Sequence, residues 1–270
     1  WSSKPDIAVM LFANKELNFD IPRIMGIINL TPDSFSDGGK FFSRKNSRTN
    51  LSKVIKEIEL MEKSGVSFID IGAESTRPGY IPISEEEELD RIIPVLNIIK
   101  DFDVIFSVDS SKPLVLREAI KSGIGLINDV NSLKDIQSKD EVRNSNLPIC
   151  IMHKKEKPSE LNICEEVSLY FKEQIESLIN FGIDSKKIIL DPGFGYGKSA
   201  KENIEILSSF DYTKFSNKSL VGISRKGFLK KLTSNNNLDD VSISAGIISA
   251  MNGANIIRVH NVPDTIKKIG

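Results

Sequence analysis

The sequence predicts a single-domain (β/α)8 barrel, on the basis of strand composition and strand number. Eight short apolar runs rich in Ile and Val alternate with longer amphipathic stretches. Such runs are typical of parallel strands buried on both faces. Eight strand–helix units in about 250 residues fit a closed barrel, and no GxGxxG turn of a doubly wound sheet follows the first run. The predicted strands are 24–29, 67–72, 104–109, 124–129, 148–153, 187–191, 219–224 and 255–259.

Helical patterns lie between these runs. In residues 50–64 apolar side chains recur at three- and four-residue spacing, which places them on one face of a helix. Residues 164–181 follow the same pattern, and Gly182 is placed to end that helix. The acidic run 85–88 predicts a helix start capped by Ser84, because negative charge is favoured at a helix N-terminus.

Composition narrows the class of protein. The 270 residues are 40% hydrophobic and 27% charged, which is typical of a soluble globular chain and excludes a disordered or collagen-like one. Lys and Arg number 36 against 37 for Asp and Glu, so a general nucleic-acid or anionic-membrane surface is not expected. No run of 18 apolar residues is present, so we expect no membrane span.

The chain has 2 cysteines and no CxxC pair, which favours a reducing compartment, and we expect a cytoplasmic protein. Residues 1–20 are interpreted as an N-terminal extension or linker, and 21–270 as the barrel. Because residue 1 is Trp, we interpret the chain as a processed product or as part of a longer protein.

Polar residues recur at the carboxyl ends of all eight predicted strands. In a barrel these ends share one face, and that face holds the active site. One Asp or Asn there could equally cap the next helix, but eight such positions are difficult to explain by capping alone. They are Asn29, Asp70, Asp109, Asn128 with Asp129, His153, Asp191, Ser224 with Arg225 and Lys226, and Arg258 with His260.

Three loops next to these ends contain further candidate groups. Residues 31–39 are dense in turn formers and hydroxyls, and we interpret them as a lid rather than as a plain surface loop. In 70–79, Arg77 could bind an anion or pair with a nearby carboxylate. The run 191–198 lacks P-loop spacing, and its glycines would let Phe194 and Tyr196 line a flat pocket.

Other chemistries lack support in the sequence. The 2 histidines, His153 and His260, show no HxxxH or HxxE spacing, so no zinc site is assigned. Ser224 and Cys150 have no partner arrangement for nucleophilic catalysis, and Cys150 lies in an apolar run where a packed thiol is expected.

Seven motifs, in order and spacing over about residues 22–261, resemble those of the dihydropteroate synthases. They are MGIINLTPDSFSDGG, DIGAESTRPG, SVDSSK, INDV, DPGFGYGK, SRKGF and RVH. The resemblance implies the (β/α)8 fold and a Mg²⁺-dependent step of folate biosynthesis. In that step 6-hydroxymethyl-7,8-dihydropterin diphosphate condenses with 4-aminobenzoate, giving 7,8-dihydropteroate and pyrophosphate.

The resemblance also implies residue roles. The metal contact would be Asn29. The diphosphate would be held by Asn29, Thr76, Arg258 and His260. The pterin would be held by Asp109, Asn128, Met152, Asp191 and Lys226. The aminobenzoate pocket would be shaped by Phe35, Ser75, Thr76, Arg77, Pro78, Phe194 and Gly227. The catalytic set would be Asp109, Lys226, Arg258 and His260.

Three departures from the family pattern stand out. After His153 the family commonly continues with Met-Gln-Gly, whereas residues 154–158 here are basic and the loop is shorter. Gly227 stands where the family often has Ser, so the aminobenzoate carboxylate would rest on backbone N–H groups alone, and we expect weaker aminobenzoate or sulfonamide affinity. Tyr196 stands where Phe is frequent.

Competing interpretations are a pterin-binding methyltransferase domain, a non-catalytic pterin-binding paralogue and an unrelated anion-binding barrel such as an aldolase. The long loop 31–39 and the RVH motif argue against the methyltransferase, which needs no diphosphate site. Lys226 follows its strand, whereas aldolases often place a Schiff-base Lys within one. The resemblance further implies a homodimer and permits fusion to a pterin pyrophosphokinase domain.

Overall fold

A computed structural model describes residues 9–31, 40–43, 48–75, 81–232 and 237–269 of the chain. Eight parallel strands form a closed barrel in which each strand pairs with the next along the chain and the last pairs with the first. The predicted fold is therefore confirmed. The barrel strands are β3 (Arg23–Asn29), β6 (Phe68–Gly72), β7 (Ile105–Asp109), β8 (Leu126–Asp129), β9 (Ile149–Met152), β10 (Ile188–Asp191), β11 (Lys218–Val221) and β12 (Ile256–Val259).

Helices alternate with these strands around the barrel. They are α1 (Leu51–Lys63), α2 (Glu85–Leu96), α3 (Pro113–Ser122), α4 (Ile136–Ser145), α5 (Ile163–Asn180), α6 (Ala200–Ser209), α7 (Leu238–Met251) and α8 (Val262–Ile269). Two antiparallel pairs lie outside the barrel sheet: β1 (Met10–Phe12) with β2 (Lys15–Leu17), and β4 (Phe42–Ser43) with β5 (Arg48–Thr49). Short 3₁₀ helices cover Ile99–Asp101, Ser185–Lys187, Tyr212–Lys214 and Gly227–Leu232.

The helix starts and stops follow local sequence signals. The Ser84 hydroxyl accepts a hydrogen bond from the Glu87 N–H at 3.1 Å, so the predicted cap and acidic first turn of α2 are confirmed. Gly182 lies two residues after the end of α5 and adopts a φ of 98°, a conformation that favours glycine at a helix end. Strand β11 ends at Val221, three residues before the predicted end at 224. No helix within the described ranges is long and apolar enough to cross a membrane.

Alternation along the strands divides the barrel interior into layers. Successive strand residues point to opposite faces, so every second side chain faces inward. The lower layer is apolar and comprises Met25, Phe68, Ile105, Leu126, Cys150, Ile189, Leu220 and Ile256. The β1–β2 hairpin adds Met10 and Phe12 to this cluster, and the Phe12 and Phe68 rings pack edge to face at 4.9 Å. The hairpin therefore packs its apolar side chains against this lower layer.

Candidate active site

The inward positions two residues beyond the apolar layer are polar on most strands. They include Asp70, Ser107, Asn128, Asp191 and Arg258. Strand alternation thus changes the barrel interior from apolar to polar within about 7 Å, because each strand residue advances the chain by about 3.3 Å. The polar layer lies at the carboxyl ends of the strands, which is the face where barrel enzymes place their active sites.

Arg258 connects two carboxylates across the barrel. Its Nε lies 2.6 Å from Asp70 Oδ2, and its Nη2 lies 2.9 Å from Asp109 Oδ2. Asn128 Nδ2 donates to the same Asp70 oxygen at 3.0 Å. Asp70 is fully buried, and inside the barrel its Oδ2 is paired with the guanidinium and also accepts a hydrogen bond from the amide. These contacts hold the Arg258 side chain across the top of the barrel.

Arg258 and Asp109 each shift the pKa of the other. Burial favours the neutral form of Arg258, but Asp70 and Asp109 together raise its pKa above the ordinary value. Burial raises the pKa of Asp109 to about 7, against the opposing effect of Arg258. Asp109 is therefore a carboxylate that gains or loses its proton near neutral pH.

Asp191 ends β10 with its carboxylate held in place. Its Oδ1 accepts a hydrogen bond from the Gly193 N–H at 2.8 Å. Burial raises the pKa of Asp191, while the Gly193 N–H and Lys226 act in the opposite direction. Gly222 leaves space beside the second oxygen, since a Cβ at that position would lie 3.8 Å from Asp191 Oδ2. A role of that oxygen in pterin binding stays a prediction.

Lys226 returns to the barrel mouth after a turn with unusual backbone geometry. Arg225 adopts a φ of 56°, and its guanidinium pairs with Asp239 of α7 at 2.7 and 3.0 Å. The ion pair between Arg225 and Asp239 therefore holds this turn against α7. The Lys226 Nζ then lies 4.4 Å from the Tyr196 ring centre. Burial lowers the pKa of Lys226 to about 8, while Asp191 opposes that effect.

His260 is oriented by a serine hydroxyl. Its Nδ1 lies 2.9 Å from Ser224 Oγ, which also accepts the His260 backbone N–H at 3.2 Å. Burial, with Arg225 and Arg258 nearby, lowers the pKa of His260 to about 3, so the imidazole is neutral. A neutral ring anchored at one nitrogen leaves the other nitrogen for a ligand.

Asn29 lies at the end of β3, in register with Gly72 and close to Asp109. A Cβ on Gly72 would lie 3.8 Å from Asn29 Oδ1 and 3.4 Å from Asp109 Cβ. No group of three or more His, Cys, Asp or Glu side chains able to hold a metal occurs among the residues whose placement is described. Mg²⁺ commonly keeps several waters and binds one or two protein oxygens together with substrate phosphates. A single amide oxygen such as Asn29 Oδ1 would fit that donor set.

The basic loop after β9 contributes a cation to the site. Lys154 Nζ donates to Asn131 Oδ1 at 2.6 Å and lies 5.9 Å from the Tyr196 ring centre. Burial lowers the pKa of Lys154, although Asp129 opposes the shift. Lys154 also lines a small polar cavity beside Asp109. The other lining residues are Glu74, Glu88, Ser110, Ser111, Val130 and Asn131.

The structure describes three of the seven residues predicted for the aminobenzoate pocket. Phe194 is fully buried and stacks on Phe228 with ring centres 6.1 Å apart. Gly227 is exposed at the start of a 3₁₀ helix, and Ser75 is half-buried just before residue 76. Their aminobenzoate roles stay predictions. Phe35, Thr76, Arg77 and Pro78 lie outside the described residues.

Met152 completes the predicted pterin set. It is buried at the end of β9, and a Cβ on Gly193 would lie 3.0 Å from its Cγ. The structure thus brings Asn128, Met152, Asp191, Lys226 and Arg258 to the same end of the barrel. Their roles toward a ligand stay predictions.

Sequence reasoning assigned no role to three residues that the structure places here. Asp70 was noted only as a strand-end residue, and it orients Arg258 and Asn128. Ser224, for which the sequence indicates no partner, lies 2.9 Å from His260 Nδ1 and orients that ring. The sequence identifies Lys154 only as a departure from the family pattern. Their strand-end positions were a usable signal, but their partners are distant in sequence.

The fold and this polar mouth define a pterin-binding barrel enzyme. Residues 25–260 match the family model described as pterin binding enzyme. The chain is 40% identical over 269 residues to the dihydropteroate synthase of Escherichia coli K12, covering 95% of this chain and 93% of that protein. The chain belongs to the dihydropteroate synthase family.

Solved structures of dihydropteroate synthases have the same fold as this chain. A Yersinia pestis dihydropteroate synthase with a sulfonamide drug complex superposes with a TM-score of 0.88 at 36% identity, covering 97% of this chain and 96% of that one. A Xanthomonas albilineans dihydropteroate synthase in complex with 7,8-dihydropteroate gives 0.83 at 33%, covering 95% and 94%.

One relative is part of a longer protein. A probable bifunctional folylpolyglutamate synthase/dihydropteroate synthase of Halobacterium salinarum is 35% identical over 91% of this chain, which spans 30% of that protein. Fusion therefore occurs among the relatives, with a partner domain that differs from the pyrophosphokinase that the resemblance permits.

Proposed function

We propose that this chain condenses 6-hydroxymethyl-7,8-dihydropterin diphosphate with 4-aminobenzoate through the side chains of the polar layer. The observation that supports this most strongly is that Asp191, Asn128 and Arg258 share the polar layer, with His260 just after β12. The carboxylate and the amide suit a flat heterocycle, and the guanidinium and the imidazole suit the diphosphate attached to it. Relatives bound to a sulfonamide drug and to dihydropteroate support the same substrate classes.

The pterin end is recognised by hydrogen bonds. A pterin edge offers amide and amino donors beside ring acceptors. Asp191 Oδ2 accepts from those donors, while Asn128 can both donate and accept. Because these groups are buried, a ligand that lacks the matching donors leaves them unpaired, which costs roughly 10⁴-fold in binding in favourable cases. Lys226 faces the same space and donates to the ring carbonyl.

The diphosphate end is recognised by charge. Arg258 presents a permanent cation, and the neutral His260 donates from the nitrogen that Ser224 leaves unoccupied. Asn29 Oδ1 would hold Mg²⁺ together with phosphate oxygens and water. When bound, the ion neutralises charge on the leaving diphosphate. The residues present fit the ion, because Mg²⁺ sites of this kind need few protein oxygens.

We propose a dissociative order of bond changes. The methylene C–O bond breaks first, and the diphosphate leaves with the electron pair. The remaining carbocation is delocalised into the dihydropterin, and the Asp109 carboxylate stabilises it. The neutral amine of 4-aminobenzoate then forms the C–N bond and releases a proton to solvent. This order of steps requires no covalent enzyme intermediate.

Positional isotope exchange tests the order of these steps. Pterin diphosphate carrying ¹⁸O in the bridging C–O position is incubated with enzyme and Mg²⁺ without aminobenzoate. We expect ¹⁸O to scramble into non-bridging positions of recovered substrate, because the cation and diphosphate recombine. Asp109→Asn is expected to slow that exchange, since its side chain no longer supplies a negative charge. Absence of exchange and of pyrophosphate release in the unaltered enzyme would contradict dissociation first.

The proposal also includes the oligomeric state and the cellular compartment of the chain. We propose that the chain forms a homodimer, which light scattering after size-exclusion chromatography would measure directly. Cys150 and Cys164 are free thiols, which supports a reducing, cytoplasmic setting. Fusion to a pterin pyrophosphokinase domain stays a prediction.

A further inference from the structure

A buried lysine lies behind the proposed pterin site, in the loop between β10 and α6. We define residues 192–198 as the glycine loop. Lys198 ends this loop with 8% of its surface exposed, although lysine is almost never buried without a partner. Its Nζ donates to Gly193 O at 2.7 Å and to His153 O at 3.0 Å. Across the described parts of the chain, the hydrogen bonds of this ammonium are to main-chain carbonyls alone.

These two carbonyls belong to the segments that follow two neighbouring barrel strands. His153 directly follows β9, and Gly193 lies two residues after β10. The Lys198 side chain therefore connects the segment that follows Met152 to the segment that follows Asp191. The backbone contact between the segments is close, since a Cβ on Gly193 would lie 2.0 Å from His153 O. Only glycine permits this approach, and its φ of 69° is one that favours glycine.

Gly193 also orients the Asp191 carboxylate, which is the group proposed to bind the pterin. The Gly193 carbonyl accepts from Lys198, and the Gly193 N–H donates to Asp191 Oδ1 at 2.8 Å. A residue held at both its carbonyl and its N–H has little freedom to rotate. A displacement of the Gly193 carbonyl would therefore turn its N–H away from Asp191.

The far end of the glycine loop is held separately. Asn203, a buried residue of α6, accepts from the Gly195 N–H at 2.6 Å and donates to Lys198 O at 3.1 Å. Lys198 N also donates to Gly195 O at 2.7 Å. These contacts with α6 and within the loop fix the Lys198 backbone, so the starting point of its side chain is also fixed.

We propose that Lys198 is a positioning residue, which holds the glycine loop against His153 so that Asp191 keeps its orientation toward the pterin. The energetic cost of burying this group supports the proposal. Burial lowers the pKa of Lys198 to about 7, while Asp191 and Glu166 oppose that shift. An apolar residue of the same length would avoid this cost but would leave both carbonyls without their donor.

Four variants and two readouts test the proposal, which rests on the proposed pterin role of Asp191. Lys198→Met keeps side-chain length and removes the donors, whereas Lys198→Gln keeps two N–H donors on a shorter chain. The matched control Lys201→Met alters an exposed lysine three residues later. Pterin affinity is measured by calorimetry and the melting temperature by scanning fluorimetry. Val142→Ala, in the buried face of α4, provides a destabilised chain with an intact loop.

We expect Lys198→Met to weaken pterin binding about 10-fold, Lys198→Gln to weaken it less, and Lys201→Met to leave it unchanged. Val142→Ala should lower the melting temperature without changing pterin affinity. Unchanged affinity in Lys198→Met, or a loss no larger than that of Val142→Ala, would overturn the proposal. Equal losses in the Met and Gln variants would overturn the hydrogen-bonding role. If Asp191→Asn also binds pterin normally, the failure belongs instead to the proposed function.

Discussion

Arg258 Nε lies 2.6 Å from Asp70 Oδ2, although 188 residues separate the two in sequence. The contact joins β6 to β12, which are far apart in the chain, because β12 closes the sheet against β3 and β3 pairs with β6. A second bond from Arg258 reaches Asp109. The arginine is thereby held between two carboxylates, so in its proposed role toward the diphosphate it would not first need to be ordered.

Asp70→Ala should lower the free energy of unfolding by about 3 kcal/mol, because it leaves a buried guanidinium with one carboxylate fewer. Urea denaturation measures this change. Glu141→Ala is the matched control, since it breaks a surface pair with Arg117 at 2.6 Å and should cost under about 1 kcal/mol. Equal effects of the two substitutions would show that the Asp70 contact has no special energetic role.

Asp191→Asn should abolish measurable pterin binding while the chain stays folded. The amide keeps the shape of the side chain but replaces one acceptor oxygen with a donor, which opposes the pterin amino group. Calorimetry with a pterin ligand gives the affinity, and circular dichroism verifies the fold. Pterin affinity equal to that of the unaltered chain would rule out the proposed role of Asp191.

The pH profile of kcat/KM should be a narrow bell. Asp109, with a pKa raised by burial to about 7, must be ionised to stabilise the carbocation, so activity rises through that pH. Lys226, with a pKa lowered by burial to about 8, must be protonated to donate and is neutral above it, so activity falls. Lys226→Arg should remove the alkaline limb, because arginine stays charged. A flat profile between about pH 6 and 9 would contradict both assignments.

Gly227→Ser should tighten binding of 4-aminobenzoate and of sulfonamides several-fold. A Cβ at this position would meet no atom within 4 Å, so the side chain fits without displacing a neighbour. The added hydroxyl can donate to the carboxylate, a bond worth about 1 kcal/mol. Gly227→Ala controls for the loss of backbone freedom. If Ser bound these ligands no better than Ala, the hydroxyl would have no part in recognition.

Much of the fold could be predicted from the sequence because each barrel strand is buried on both faces. Such strands read as short apolar runs, and the eight predicted runs overlap the eight barrel strands. The helix over 50–64 corresponds to α1, and that over 164–181 corresponds to α5. The β1–β2 hairpin was not predicted, because strands of three residues show no measurable periodicity.

The site was predicted less completely, for a physical reason. Strand ends converge in any barrel, so the set from Asn29 to His260 could be predicted to share one face. Which side chains pair depends on register and on long-range closure, and neither can be read from local spacing. The partnership of Asp70 with Arg258 is one example. The two bonds of Lys198 to main-chain carbonyls are another, since no side-chain motif signals them.

Quantitative product analysis tests the proposed reaction most directly. The chain is incubated with dihydropterin diphosphate, 4-aminobenzoate and Mg²⁺, and both products are measured by chromatography and a coupled pyrophosphate assay. We expect one pyrophosphate for each 7,8-dihydropteroate, with both absent when Asp191→Asn replaces the unaltered chain. Pyrophosphate release without any aminobenzoate adduct, or full turnover by Asp191→Asn, would contradict a single cavity that holds the pterin and its diphosphate together.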